Sequence, residues 1–67
     1  MKGFYKYDLG YDQVIIIETE KELSFLCNSI KLDASYNKEN GKIKGKGSKS
    51  CKNLILKMVE EIKKEEA

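Results

Sequence analysis

At 67 residues the chain has room for a single domain, residues 1–67, and a domain this short buries only roughly 60% of the surface its unfolded chain exposes. Hydrophobic residues make up 40% and charged residues 36%, a balance too apolar for disorder, and no apolar run approaches the ~18 residues of a membrane span, the longest being Val14 to Ile17. The net charge is +2 and histidine is absent, which removes the commonest general base and the commonest metal ligand together.

The N-terminal stretch from Met1 to Asp8 is too polar for a signal peptide, so a cytoplasmic protein is expected. Phe4-Tyr5-Lys6-Tyr7 reads as a strand, joined through a Leu9-Gly10-Tyr11 turn to Val14-Ile15-Ile16-Ile17, whose continuous β-branched run reads as a buried strand. Residues 19–29 fit two patterns. Thr19-Glu20-Lys21-Glu22 matches a capping box, and Leu23, Leu26, Cys27 and Ile30 share a helical face. Leu23, Phe25 and Cys27 also alternate, with Asn28-Ser29 able to turn a hairpin. The lack of any β-branched residue from Glu20 to Ser29 leans the reading to a short helix at 20–29; the alternative is a continuous antiparallel meander.

Ile30, Leu32, Ala34 and Tyr36 alternate with Lys31, Asp33 and Ser35, as in a half-buried strand, and Asn37 to Gly41 supplies turn residues. The return strand Lys42-Ile43-Lys44 is short and basic, suited either to binding or to protecting a sheet edge. After Gly45-Lys46-Gly47, the residues Cys51, Leu54, Ile55, Met58, Val59 and Ile62 form one apolar stripe at helical period, with Ser48 or Ser50 placed to cap its start. The fold class is therefore α+β: a small antiparallel sheet with a C-terminal amphipathic helix packed on one face.

Charge is distributed unevenly. Residues 38–52 hold Lys38, Lys42, Lys44, Lys46, Lys49 and Lys52 against Glu39 alone, whereas residues 1–37 hold four lysines against six acids. Such a segment reads as a docking surface for an anion, or as a solvated lysine-rich turn. Lysines beside a helix start oppose the macrodipole, which points to a second use such as holding phosphate; Glu60, Glu61, Glu65 and Glu66 at the other end are equally mismatched, so composition alone also accounts for the pattern. Every basic residue is lysine, consistent with an AT-rich genome, and the absence of arginine argues against base-specific readout.

The stretch Gly45-Lys-Gly-Ser-Lys-Ser-Cys-Lys-Asn resembles the end of a double-stranded RNA-binding domain, where a glycine-rich strand runs into a final helix opened by a Ser-Lys-Lys-x-Ala-Lys pattern. The likeness covers about the last 25 residues. It implies that Lys49 and Lys52 contact phosphates across the groove of A-form RNA, and that Cys51 stands in place of a small alanine facing the sheet.

Other constellations carry less. Phe4, Tyr5, Tyr7 and Tyr11 interleave with Lys2 and Lys6, as in a single-strand stacking platform or simply a strand burying half its aromatics. Cys51 beside Lys49 and Lys52 reads as a reactive thiol or, in keeping with its place on the apolar stripe, a packed one. Cys27 and Cys51 are expected as free thiols, and neither they nor any other set of residues makes a metal, cofactor or catalytic constellation, so a non-enzymatic binding protein is expected. Its expected function is to grip a nucleic-acid phosphate backbone, RNA favoured over DNA, through Lys42, Lys44, Lys46, Lys49 and Lys52 with Gly45, Gly47 and Ser48. The alternative is a protein–protein interaction module, such as a phage-encoded inhibitor of a nucleic-acid-handling complex, presenting Asp8, Asp12, Glu18, Glu20, Glu22 and Asp33 to a partner's basic groove.

Overall fold

Alternation of apolar and polar residues, interrupted by four turns, carries the chain back and forth across one antiparallel sheet before it ends in a helix. A computed structural model describes residues 3–66, the last of them by its backbone alone. The strands are β1 (Gly3–Asp8), β2 (Gln13–Glu18), β3 (Glu22–Cys27), β4 (Leu32–Asn37) and β5 (Ile43–Lys46), followed by α1 (Lys52–Glu66). They lie side by side in chain order, each antiparallel to the next, so every connection is a hairpin. Short polar side chains close the turns. Asp8 accepts a hydrogen bond from the Gly10 amide at 2.7 Å, and Asn37 Oδ1 accepts from the amides of Glu39 and Asn40.

The segment around residues 20–29 departs from the helical leaning of the sequence. Glu22 to Cys27 is the central strand β3, with Leu23, Phe25 and Cys27 buried and Ser24 and Leu26 exposed. The Thr19–Glu22 signature makes a hairpin turn instead of a helix cap: the Glu22 amide donates to Thr19 Oγ1 at 3.1 Å, and the Thr19 amide donates to the Glu22 carbonyl at 2.9 Å. A capping box and this turn use the same kind of side-chain-to-amide bond, so the motif does not discriminate between them. The tertiary context does, because β3 pairs along both edges, with β2 and β4.

One face of the sheet and one stripe of the helix make the core: Val14, Ile16, Leu23, Phe25, Cys27, Leu32 and Ala34 meet Ile55, Met58, Val59 and Ile62. Leu54, Cys51, Tyr5, Tyr7, Tyr36 and Ile43 pack around its border. Full burial of one such aliphatic side chain stabilises by about 1.5–3 kcal/mol, so the four buried helix residues account for most of what holds α1 in place. The helix covers only one side of the sheet. β2, read from its continuous β-branched run as a buried strand, is accordingly buried on one face only: Ile17 is 38% exposed and Ile15 half-buried. Ile30, expected at the start of β4, lies in the β3–β4 turn, where Lys31 takes a left-handed φ of 52°.

Candidate polyanion interface

Two glycines decide how β5 gives way to the helix. Gly45 has φ 115°, and a Cβ built there would fall 2.5 Å from the Asp33 carbonyl oxygen and 2.8 Å from Ala34 Cα. At Gly47, with φ 78°, a Cβ would lie 2.9 Å from the Lys31 carbonyl oxygen. Both close approaches are thus made to the main chain of residues 31–34, at the start of β4. Both positions are closed to side chains for structural reasons, and they fix the direction in which Lys44, Lys46, Lys49 and Lys52 leave the main chain.

The helix start also differs from the expected serine cap. α1 begins at Lys52, which puts Cys51 at the cap position; its carbonyl accepts from the Ile55 amide at 2.8 Å, and its own amide donates to Gly47 at 2.9 Å. Ser48 and Ser50 sit in the preceding turn. Cys51 is half-buried against the core, in keeping with its place at the head of the apolar stripe.

The lysines of residues 38–52 fall into three groups. Lys42, Lys49 and Lys52, with Gly41, Ile43 and Ser48, line an open groove of about 400 Å³ between the β4–β5 turn and the start of α1. No carboxylate lines that groove, and the first turn of α1 contains no acid. Three lysines around one concave, acid-free surface raise its positive potential, which dissolved salt screens and a bound anion offsets. Lys44 and Lys46 point the other way, onto the uncovered face of the sheet. There Lys46 is the cross-strand neighbour of Asp33, Lys44 shares a shallow depression with Asp33, and Lys42, at the boundary of the two surfaces, borders a second depression with Lys44 and Glu22. Their field is partly offset by those acids.

Lys38 leaves the basic surface altogether. Its Nζ donates to Glu18 Oε2, and Tyr5 donates its hydroxyl to Glu18 Oε1 at 3.0 Å. Glu18 is 1% exposed, so it is unavailable to a partner's basic groove, contrary to the role the sequence allowed it. The sequence carried the signal: Glu18 continues the inward alternation of Val14 and Ile16, which makes it an ionisable residue at a core position. A small cavity of about 150 Å³ lies beside this cluster, lined by Glu18, Leu23, Tyr36, Lys38, Val59, Ile62 and Lys63. Asp12 is also engaged, accepting from the Gln13 amide at 2.8 Å, from the Ser29 hydroxyl and from the Cys27 thiol at 3.5 Å, chiefly through Ser29, so its carboxyl is held below the usual aspartate value.

The N-terminal aromatics do not form a stacking platform. Tyr5 and Tyr7 face the helix side, Phe4 faces the open side, and Tyr11 stands in the β1–β2 turn, 71% exposed; Lys2 lies outside the described residues. Both cysteines are free, and among the described residues no cluster of three or more histidine, cysteine or acidic side chains is placed to hold a metal ion. Among the described residues no helix is long and apolar enough to cross a membrane. No protein-family model matches the chain, and neither the curated proteins nor the solved structures include one with significant similarity to it.

Proposed function

We propose that the protein binds a polyanion, a nucleic-acid phosphate backbone, with Lys42, Lys49 and Lys52 as the principal contacts and Lys44 and Lys46 as flanking ones. One observation carries this reading: the three groove lysines converge on a concave surface with no acid in its lining, although acids are nearly as frequent as lysines in the chain. A solvated surface of this composition would intersperse the two signs, as the open sheet face does. The residues likened to a double-stranded RNA-binding domain form the strand-to-helix passage bordering this groove, and Lys49 and Lys52 are the pair that resemblance singles out.

The reading is tested by fluorescence anisotropy with labelled RNA and DNA duplexes of several sequences over a salt series. Log affinity is expected to fall linearly with log salt, at roughly 0.7–0.9 per phosphate contact, so three to five contacts give a slope of about −2 to −4.5. Lys49→Glu combined with Lys52→Glu is expected to abolish binding to every sequence alike, since phosphate contacts carry no base information. Lys44→Glu with Lys46→Glu is expected to weaken it less. Absence of binding by the wild-type protein at low salt refutes the proposal.

A further inference from the structure

The sheet face opposite the helix is uncovered, and its cross-strand registers define rows of outward side chains, two of which span β1 to β4. One row runs Phe4, Ile17, Ser24, Ser35 across β1 to β4; the next runs Lys6, Ile15, Leu26, Asp33. Phe4, Ile17 and Leu26 are 55%, 38% and 48% exposed, and with half-buried Ile15 they form one contiguous apolar block. The other exposed large apolar residues, Tyr11 and Leu56, stand apart from this block, in a turn and on the helix. An apolar block on a paired sheet face marks a contact surface.

Each row is complementary to its own reverse. Read across the strands, the first is large, large, small, small; the second is positive, apolar, apolar, negative. We infer that this face binds a second copy of the chain, the two sheets packing face to face about a twofold axis that runs parallel to the strands between β2 and β3. That operation lays β1 over the partner's β4 and β2 over its β3. Phe4 and Ile17 then meet small serines, Ile15 and Leu26 gather with their symmetry mates at the centre, and Lys6 meets an aspartate at both ends. Sheets packed in this way lie about 10 Å apart with strands inclined by roughly 30°, which shifts the outer strands by about one residue, within a lysine's reach. A twofold axis across the strands is disfavoured because it superposes the two rows, stacking Lys44 over Lys46 and Leu26 over Ser24. An isologous contact needs this self-complementarity, whereas an unrelated partner does not. β5 overhangs the sandwich, so Lys44 and Lys46 lie at its rim and the groove of Lys42, Lys49 and Lys52 stays open; the inference does not depend on the polyanion reading.

Sedimentation velocity over micromolar to millimolar concentrations tests it. A concentration-dependent dimer is expected, and Leu26→Lys, at a position already half exposed, is expected to weaken it at least ~10-fold, by placing two charges at the centre of the contact. Lys6→Glu and Asp33→Lys should each weaken self-association by placing like charges together. An equimolar mixture of those two variants should dimerise more strongly than either alone, because each end of the mixed dimer then pairs opposite charges. Circular dichroism confirms that each variant is folded. A wild-type protein that stays monomeric at millimolar concentration overturns the inference, as does a dimer insensitive to Leu26→Lys or a mixture no stronger than its components.

Discussion

Glu18 and Lys38, 20 residues apart in sequence, form an ion pair at the edge of the core, with the carboxylate 1% exposed and the ammonium-bearing side chain 25% exposed. The pair links β2 to the β4–β5 turn, and Tyr5 extends it to β1. The asymmetry of exposure sets the energetics. A lysine that loses its carboxylate can turn to water, whereas a carboxylate that loses its ammonium stays desolvated.

Lys38→Met is therefore expected to destabilise the fold by about 1–3 kcal/mol, and Glu18→Gln by less, since glutamine keeps the shape and accepts from Tyr5. The double variant should recover part of the Lys38→Met loss. Urea denaturation of the three proteins checks the order, and equal costs for the two single variants would show that the pair is solvated.

Burial orders the helix substitutions. Ile55 is fully buried, so Ile55→Ala should cost about 2–5 kcal/mol, enough to unfold a domain of this size. Leu54, half-buried, should cost less, and Leu56, 40% exposed, should change the unfolding midpoint least of the three.

Gly45→Ala is expected to destabilise by at least ~1–3 kcal/mol from its backbone conformation alone, with a further loss from the 2.5 Å approach to the Asp33 carbonyl. Because that approach sets the course of the chain into α1, the substitution should also weaken polyanion binding in whatever fraction remains folded. Thermal unfolding followed by anisotropy at a folded temperature separates the two effects.

Asp12 makes stability pH-dependent at the acid end. Its carboxyl titrates below its value of 3.8 in the unfolded chain, chiefly because Ser29 and then the Gln13 amide hydrogen-bond the charged form. The contribution is thus complete above the unfolded value and is lost as pH falls through the lower, folded one. Asp12→Asn should lower the stability measured at neutral pH and flatten its decline through that acid window. An unchanged acid profile would show that these bonds contribute nothing in solution.

The thiols should react at different rates. Cys27 is 2% exposed at the end of the central strand β3, on the face that the helix covers, and Cys51 is half-buried at the helix start. A thiol reagent is expected to label Cys51 in the native protein and Cys27 only on unfolding, as peptide mapping by mass spectrometry would show.

Periodicity in the sequence determined the C-terminal helix through its apolar stripe from Cys51 to Ile62, and the N-terminal hairpin; composition determined the basic character of residues 38–52, because side-chain period and charge are properties of the chain itself. It did not determine the state of residues 20–29. Thr19 to Glu22 satisfies a helix cap and a hairpin turn equally, and only pairing of β3 on both edges selects the strand. Nor did it determine how the lysines are shared out. Alternation across β5 sends Lys44 and Lys46 to the open face, the glycine crossing over β4 carries Lys49 and Lys52 back beside Lys42, and Lys38 is taken up by a carboxylate at a core position. Those outcomes depend on which strands become neighbours, a long-range relationship that no local pattern records. The same holds for the open face: Phe4, Ile15, Ile17 and Leu26 are scattered along the sequence and become one surface only through the register of three strands.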